Sequence, residues 1–382
     1  MIYDKASLVQ IPSGYKSGTL YSVVPNTADG DFTVTGDPQG EATRVNKDGL
    51  IESVAADVPR LNYDFTNPQD PHLLLEPTRT QLAEYTNDIS SANGYGLTNG
   101  TLTTDSHTAP DGSNEASTFE ATSAGGQFQK VKIGSSGVQY TVSAYVKRKT
   151  GTGTVYLRAV ENTNTAITVT DEWARVSLTV TSTSVNIRYG MALATSGDEI
   201  YVWGFQVEAG SYATSLIPNT SSGEITRTQD RCIQGGDSDL FNDSEGVLFA
   251  ELEALAEGTT TRKICLTNGT TDFVNFNFNT TSGRVDFEFG STSNSFYIVN
   301  STGHTLTNKN KIAIKYKSGD TDCYINGTRV TGGNGTFTLS GLDRINFENR
   351  NTSGSQAMFA KIYQLMYFNT ALTDAELQTL TS

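Results

Sequence analysis

Apolar and polar side chains alternate along most of this chain in short runs, with the two-residue period of a strand that has one buried face. The clearest run is 199–208, EIYVWGFQVE, whose alternation predicts that Tyr201, Trp203, Phe205 and Val207 share one face. Large aromatic side chains at this spacing predict a strand in the core of a β-sandwich.

Turn sequences separate these runs at short, regular intervals, for example PDG at 110–112 and GTG at 151–153. We therefore predict an all-β protein, in which an irregular N-terminal segment precedes two β-sandwich (jelly-roll) domains and a short C-terminal helix. We place the N-terminal segment at residues 1–82 and the two domains at 83–230 and 237–382.

The N-terminal segment carries apolar side chains too sparsely for a core of its own. We expect it to be stabilised by packing on the next domain, on other protomers or on a larger assembly.

Two short sequence signals near the C-terminal end of the chain each predict a local structure. Asn326-Gly327 predicts a type I′ hairpin turn, and Thr373 with Glu376 predicts a capping box that starts the C-terminal helix.

Charge narrows the class of partner. The chain has 27 Lys and Arg against 41 Asp and Glu, a net charge of −14. Nucleic acids and anionic lipid surfaces attract basic patches, so we expect neither as a partner.

No run of about eighteen apolar residues is present, so no membrane insertion is expected. The opening MIYDKASLVQ lacks the basic and apolar parts of a secretory signal, so none is expected.

The three cysteines, Cys232, Cys265 and Cys323, lie far apart and form no CxxC pair. Their odd number excludes a complete disulfide framework. We expect free, mostly buried thiols in a protein made in a reducing compartment.

Three motifs in the first part of the chain resemble a known family. They are ATRVNKDGLIE (42–52), VPRLNYD (58–64) and LLLEPTRTQL (73–82), followed by Tyr85-Thr86. They resemble the amino-terminal module of a family of phage virion proteins, whose fibre or appendage segment reads ATRVN-x-x-G-x-I-E, V-P-R-x-x-Y, LLLEP-x-RTNL and YS. This chain has Gln81 where the family usually has Asn, and Thr86 where it usually has Ser. The resemblance covers most of residues 7–90 and implies a structural role.

Later stretches resemble sugar-binding folds. YTVSAYVKR, EWARVSLTV and IYVWGFQVEAGSYATSLIP, closed by ITRTQD at 225–230, are similar to a carbohydrate-binding-module-like jelly roll of the kind that follows this segment in phage proteins. YINGTRV and AKIYQLMYFNTALTDAELQTL resemble the end of a concanavalin A-like (laminin-G-like or pentraxin-like) sandwich, in which a final strand leads into a short helix.

Together the resemblances imply a bacteriophage virion structural protein: a tail fibre, a head fibre or another appendage. It would be made in the host bacterial cytoplasm, be exposed on the particle and present lectin-like sandwiches for adhesion to host or environmental surface glycans. Residues 1–82 would contact other virion proteins. We expect a homo-oligomer, with a trimer as the usual form of a fibre, although no heptad repeat supports a particular number. The alternatives are a capsid or tail decoration protein without a ligand, and a polysaccharide depolymerase.

Catalytic signatures are weak. His72, His107 and His304 belong to no catalytic or metal-binding motif, and we interpret them as surface or turn residues. Glu251 with Glu253, and Asp286 with Glu288, could each supply the two close carboxylates of a glycosidase. Neither pair lies in the E-x-D-x-x-E pattern that such enzymes of this fold show, so solvated strand faces are the simpler interpretation and no enzyme is expected.

A structural Ca²⁺ is the ion that the resemblance makes most plausible, since jelly-roll modules and laminin-G-like sandwiches often carry one. Asp237, Asp239, Asp243 and Glu245 are the candidate ligands, in the loop GGDSDLFNDSEG. The loop lacks the ligand and glycine positions of an EF-hand, and the alternative is an acidic linker between domains. Both tryptophans, Trp173 and Trp203, are expected to be core anchors rather than sugar platforms. The sequence names no glycan-binding residue.

Overall fold

The computed structural model describes residues 2–12, 14–37, 40–65, 67–161, 163–258, 260–291, 294–333 and 336–382. Within these residues the protein is nearly all β, as predicted, and α1 (Asp374–Thr381) is its one α-helix. Single 3-10 turns occur at Tyr3–Lys5, Ala28–Gly30 and Ser91–Asn93.

The strands of the first part of the chain are β1 (Leu8–Gln10), β2 (Tyr15–Lys16), β3 (Thr19–Leu20), β4 (Phe32–Thr35), β5 (Ala42–Val45), β6 (Ile51–Val54), β7 (Leu61–Asp64), β8 (Asn67–Leu75) and β9 (Arg79–Gln81). Those of the middle part are β10 (Gly96–Thr98), β11 (Gly100–His107), β12 (Ala116–Ala121), β13 (Gly126–Ile133), β14 (Gln139–Thr150), β15 (Val155–Ala159), β16 (Thr163–Ile167), β17 (Ala174–Thr181), β18 (Asn186–Leu193), β19 (Glu199–Ala209), β20 (Ile225–Arg227) and β21 (Arg231–Ile233). The last part contains β22 (Glu245–Ala254), β23 (Arg262–Thr267), β24 (Phe273–Phe278), β25 (Val285–Ser291), β26 (Asn294–Ser301), β27 (Asn310–Lys317), β28 (Thr321–Ile325), β29 (Thr328–Gly333), β30 (Arg344–Asn346) and β31 (Ala360–Phe368).

The middle sandwich consists of two five-stranded sheets, ordered β10-β13-β18-β15-β16 and β11-β12-β19-β14-β17. Their strands run antiparallel, and the alternating apolar side chains of both inner faces fill one core. Among the buried members of this core are Phe119, Phe128, Val142, Tyr189 and Phe205.

A β-bulge breaks the alternation predicted for β19. Gly204 adopts a φ of +64°, and the pairing with β14 shifts between Ser143 and Tyr145. The extra residue moves every later side chain of β19 to the opposite face of the sheet, because successive side chains of a strand point to alternate faces. Phe205 therefore lies in the sandwich core, whereas Trp203 lies in a separate cluster on the other face of the sheet. The prediction that these aromatic side chains share one face is wrong.

The last sandwich has a five-stranded sheet, β26-β25-β24-β23-β30, and an eight-stranded sheet, β29-β28-β27-β22-β31-β8-β7, with β1 also paired to β31. The eight-stranded sheet takes β1, β7 and β8 from the first 82 residues, so strands on the two sides of the predicted boundary hydrogen-bond to each other. Leu8, Leu73 and Leu75 are fully buried beside Phe276 and Phe287 in the core of this sandwich. Packing on another part of the same chain therefore stabilises much of the N-terminal segment.

Both local signals of the last part are confirmed. Asn326 and Gly327 have positive φ angles, 50° and 75°, which is the backbone of a type I′ turn between β28 and β29. The side chain of Thr373 accepts a hydrogen bond from the Glu376 amide, and Glu376 bonds back to the Thr373 amide, so the capping box is formed. The helix buries Leu377 and Leu380 against the outer face of the eight-stranded sheet.

A buried ion cluster joins the N-terminal segment to the end of the middle sandwich. We call it the junction ion cluster: Arg60, Glu76, Ser215, Arg227 and Asp230. Glu76 Oε2 lies 2.6 Å from one guanidinium nitrogen of Arg60 and 2.6 Å from one of Arg227. The second branch of Arg60 binds Asp230. Both arginines are at most 2% exposed. Their partners in the cluster are needed to offset the free-energy cost of removing two guanidinium groups from water.

The carboxylate of Glu76 is the centre of this cluster. The amide and the hydroxyl of Ser215 donate hydrogen bonds to it, at 2.8 and 2.7 Å. Burial alone would raise the pKa of Glu76, but the two guanidinium groups and Ser215 outweigh burial and lower that pKa to about 2. Arg60 belongs to the VPR motif and Glu76 to the LLLEP motif, so two separated motifs of the N-terminal segment meet at one point.

The three histidines differ in environment. His107 and His304 are partly exposed, but His72 is fully buried, so its interpretation as a surface residue is wrong. It lies in β8, with one ring nitrogen 3.0 Å from the Asn62 amide nitrogen and the other 3.2 Å from the Asp70 carbonyl. Burial lowers the pKa of this imidazole to about 4.

The predicted state of the cysteines is confirmed, since Cys232, Cys265 and Cys323 are free and buried. Burial raises the pKa of each of these thiols. Within the part of the chain that the structure describes, no helix has the length and apolar character needed to cross a membrane.

Candidate functional site

An open cavity of about 350 Å³ lies on the middle sandwich, where the chain enters and leaves this unit. We call it the Tyr85 cavity. Its lining combines one aromatic ring with carboxylates and side-chain amides: Tyr85, Asn87, Asp88, Asn93, Asp105, Glu115 and Thr220.

Four chain segments meet at the Tyr85 cavity. Tyr85 and its neighbours follow β9, Asp105 lies near the end of β11, Glu115 directly precedes β12, and Thr220 lies between β19 and β20. Tyr85 has a φ of 51° and Asp105 a φ of 50°, the left-handed region that residues other than glycine rarely adopt. The pairing of β11 with β12 shifts beside Asp105, so a bulge directs this residue out of the ladder. Such strained positions are concentrated at binding and catalytic sites.

The side-chain amide of Asn87 is held by a hydrogen bond within the cavity, whereas carboxylate oxygens of the lining remain available to a ligand. The Asn87 amide donates to Glu115 at 3.1 Å, and the Lys130 ammonium lies 5.1 Å from the centre of the Tyr85 ring. Among the described residues, none of the carboxylates of Asp88, Asp105 and Glu115 forms an ion pair. These oxygens are therefore strong hydrogen-bond acceptors that still face water.

This arrangement suits a polar ligand with one apolar face. A tyrosine ring offers a flat apolar surface, and carboxylates and amides around it accept and donate hydrogen bonds in fixed directions. A sugar ring has hydroxyl groups at its edge and C–H groups on its faces, and it therefore matches both properties.

Three of the four predicted calcium ligands, Asp237, Asp243 and Glu245, bind other groups of the chain through their carboxylates. Asp237 accepts a hydrogen bond from the Asp239 amide at 3.0 Å, in a local turn. Asp243 accepts from the amides of Gly341 and Leu342, at 2.8 and 2.9 Å. Glu245 begins β22 and forms an ion pair of 2.9 Å with Lys317.

Among the residues that the structure describes, no group of three or more histidine, cysteine, aspartate or glutamate side chains is placed to hold a metal ion. The Asp237 carboxylate closes a turn, that of Asp243 binds two loop amides, and that of Glu245 pairs with Lys317, so these three have structural roles. A calcium ion at this loop stays a prediction.

The two carboxylate pairs lie on strand faces, but they are less solvated than expected. Asp286 is only 3% exposed and binds Arg284 and the Asn279 amide, each at 2.6 Å. Glu288 binds Lys263 at 2.9 Å. For Asp286 a solvated face is therefore wrong, because arginine and amide partners replace water.

The pair on β22 is different. Glu251 and Glu253 are both partly exposed. Glu253 is held by Lys361 at 3.1 Å and by the Tyr363 hydroxyl at 3.1 Å. The neighbouring ammonium and hydroxyl groups give this carboxylate a structural role on the outer face of the eight-stranded sheet.

The tryptophans also differ from each other. Trp203 is 1% exposed and packs with Ile51 and Leu216, so it is a core residue at the contact between the N-terminal segment and the middle sandwich. Trp173 is partly exposed, and its indole N–H donates to the Thr108 carbonyl at 3.2 Å.

Sequence reasoning missed the Tyr85 cavity, although one signal was present. Tyr85 and Thr86 end the last of the motifs that resemble the phage module, in the stretch AEYTND. The approach of β11 and of the residue before β12 to this stretch, and the positive φ angles, cannot be read from a sequence pattern.

No protein-family model matches the chain, and no curated protein matches it. Among solved structures, it is similar to the CBM40 of the Ruminococcus gnavus IT-sialidase bound to α2,3 sialyllactose, with 14% identity over 37% of this chain and 84% of that chain and a TM-score of 0.32. It is also similar to domain 4 of the arabinanase AbnA from Geobacillus stearothermophilus in complex with arabinotriose, with 13% identity over 45% and 84% and a TM-score of 0.33. A third similar structure is the SAP-like pentraxin of Limulus polyphemus, with 13% identity over 36% and 70% and a TM-score of 0.29.

Similarities of this size carry no argument about function. The resemblance to phage proteins therefore rests on the three N-terminal motifs, and a proposal of binding has to rest on the cavity itself.

Proposed function

We propose that this chain is a structural protein of a bacteriophage particle, a fibre or another appendage, and that it binds surface glycans. Support for the virion role comes from the motifs ATRVNKDGLIE, VPRLNYD and LLLEPTRTQL. Arg60 and Glu76 from the second and third motifs meet in the junction ion cluster, which gives both motifs a common structural purpose.

The observation that carries the binding part of the proposal is the Tyr85 cavity. At about 350 Å³ it falls in the size range of small-ligand sites, and it accommodates one or two sugar rings. Tyr85 supplies the stacking surface, and Asp105 and Glu115 accept hydrogen bonds from sugar hydroxyls. Individual contacts of this kind are weak, and many copies on one particle would multiply them.

We expect Tyr85→Ala and Asp105→Asn each to weaken glycan binding roughly ten- to hundredfold, the effect of losing a stacked ring or a charged hydrogen-bond acceptor. Tyr85→Phe should retain most of the binding, because the ring stays in place. The measurement is a glycan array with the purified chain, followed by titration of the best ligand. Asp171→Asn, an exposed aspartate elsewhere on the same sandwich, is the matched control and should bind as the unchanged protein does.

Two results would favour the alternatives. A protein that binds no glycan on the array or on host cells would be a decoration protein without a ligand. New reducing or unsaturated ends after incubation with host polysaccharide would identify a depolymerase, and the ion-paired carboxylates Asp286 and Glu288 would then need a different interpretation.

Residues 1–82 are proposed to contact other virion proteins, and the chain is proposed to form a homo-oligomer. Apolar side chains that stay exposed in this segment support the proposal: Tyr3 is 54% exposed, Val23 41% and Val24 38%. A density map of the virion tests both parts, since it would show the position of the chain, its copy number and the surface that these side chains cover.

A further inference from the structure

A second polar cavity, of about 210 Å³, lies on the last sandwich, outside the five-stranded sheet. We call it the Arg350 cavity. β23 and β24 form its floor with Lys263, Cys265, Phe273 and Asn275, and the loop after β30 forms its wall with Asn349, Arg350 and Gln356.

The charge of the Arg350 cavity is opposite to that of the Tyr85 cavity. Its lining contains two cations, Lys263 and Arg350, and no carboxylate. Glu288, just outside the lining, neutralises Lys263 through an ion pair of 2.9 Å. Of the residues that the structure describes, none forms an ion pair with Arg350. One uncompensated guanidinium therefore faces a polar cavity on a chain whose net charge is −14.

The surroundings hold Arg350 in place without neutralising it. The centre of its guanidinium group lies 5.2 Å from the centre of the Phe273 ring, a cation–π contact that supports one face of the plane. The Arg350 backbone is held at both ends: its amide binds the Asn349 side chain at 2.9 Å, and its carbonyl accepts from the Asn346 side chain at 3.4 Å. An arginine oriented in this way keeps its N–H groups available for a planar anion.

Three of the other lining groups are side-chain amides, and the remaining two are the Phe273 ring and the Cys265 thiol. Asn275 is 2% exposed, so its amide is a fixed part of the floor. Gln356 adopts a φ of 55°, and its carbonyl accepts from the Lys263 amide at 2.9 Å, which fastens the loop to β23. Amides around one unpaired cation match a ligand that carries one carboxylate and several hydroxyl groups.

We propose that the Arg350 cavity binds the carboxylate of an acidic sugar, such as a uronic acid. The inference rests on the proposed glycan binding for the nature of the ligand, but on a different domain and different residues. Arg350 pairs with the carboxylate through two parallel hydrogen bonds, and Asn349 and Gln356 bind the neighbouring hydroxyl groups. The Tyr85 cavity, with its free carboxylates, disfavours the same sugar by charge repulsion. The two sandwiches therefore select different sugar units.

The test compares D-galacturonate with D-galactose, which lacks the carboxylate, by saturation-transfer NMR and titration on the full chain. Galacturonate should bind and galactose should bind at least tenfold more weakly. Arg350→Gln should weaken galacturonate binding roughly ten- to hundredfold, the effect of losing a charged hydrogen-bond donor. Arg350→Lys should recover part of the affinity, since it keeps the charge and loses the paired geometry.

Arg329→Gln is the matched control, because Arg329 is an exposed arginine of the same sandwich that pairs with Asp322. It should leave galacturonate binding unchanged, and thermal unfolding of each variant checks that the sandwich remains folded. Equal binding of the two sugars, or unchanged galacturonate binding in folded Arg350→Gln, would overturn the inference. Tyr85→Ala separates the two proposals: it should leave galacturonate binding intact even where it abolishes binding of the array ligand.

Discussion

Replacing Glu76 by glutamine is expected to lower the free energy of unfolding by about 3–5 kcal/mol, the usual cost of removing one partner from a buried ion pair. Glu76 lies 2.6 Å from both Arg60 and Arg227. A neutral amide would leave Arg60 with Asp230 as its one carboxylate partner and would remove the carboxylate partner of the buried Arg227. The loss is measured as the shift in urea-induced unfolding.

The pH dependence of stability provides a second measurement on the same variant. The pKa of Glu76 is lowered from 4.5 to about 2 in the folded chain. A carboxyl whose folded pKa is depressed adds stability above its unfolded pKa, and this contribution is lost as the pH falls towards the folded pKa. Between pH 4.5 and about 2, the unchanged protein should therefore lose more stability than Glu76→Gln does.

Glu52→Gln is the matched control, because Glu52 pairs with Arg44 at the surface, where its side chain is 38% exposed. It should cost at most about 1 kcal/mol. If Glu76→Gln cost no more than this control, the junction ion cluster would not hold the units together, and the VPR and LLLEP motifs would not share a structural purpose.

Trp203→Ala is expected to cost about 3–5 kcal/mol, the range for truncating a large buried aromatic side chain. The position of Trp203 in the structure indicates which contact this substitution should disrupt first. Trp203 packs with Ile51 and Leu216 rather than with the sandwich core, so the first contact to open should be that between the N-terminal segment and the middle sandwich. Hydrogen exchange should show lost protection at β5 and β6 before the middle strands β14 and β19 exchange.

Trp173→Ala is the comparison, since this tryptophan is partly exposed at the edge of the same cluster and should cost less. A Trp203→Ala protein of unchanged stability that no longer bound cells would contradict the assignment. It would make Trp203 a ligand contact instead of a packing residue.

Local patterns predicted the local structure well. Strand alternation indicated the all-β class, the Asn326-Gly327 pair indicated its hairpin, and Thr373 with Glu376 indicated the start of the helix. Each of these signals depends on residues close together in sequence. The bulge at Gly204 shows the limit, because an extra residue in a strand reverses every later side chain without changing the alternation itself.

Contacts between distant segments could not be predicted. Nothing in the sequence of β1 or β8 indicates that both pair with β31, at the far end of the chain. The junction ion cluster combines Arg60 with Asp230, and the Tyr85 cavity combines Tyr85 with Glu115. Polar residues of this kind look like ordinary surface positions until the fold brings their partners beside them.

The structure also changes the basis for expecting an oligomer. The sequence suggested that residues 1–82 have too few apolar side chains for a core of their own and pack on the next domain, on other protomers or on a larger assembly. In the structure, Leu8, Leu73 and Leu75 are buried in the core of the last sandwich of the same chain. The proposal of a homo-oligomer now depends on the side chains that stay exposed, chiefly Tyr3, Val23 and Val24.

The most direct test of glycan binding at the Tyr85 cavity is an experimental structure of the full chain with the strongest ligand from the glycan array. We predict density for a sugar ring against the face of Tyr85, with hydroxyl groups within hydrogen-bond distance of Asp105 and Glu115. A glycan bound elsewhere on the chain, with the Tyr85 cavity filled by water alone, would contradict the proposal.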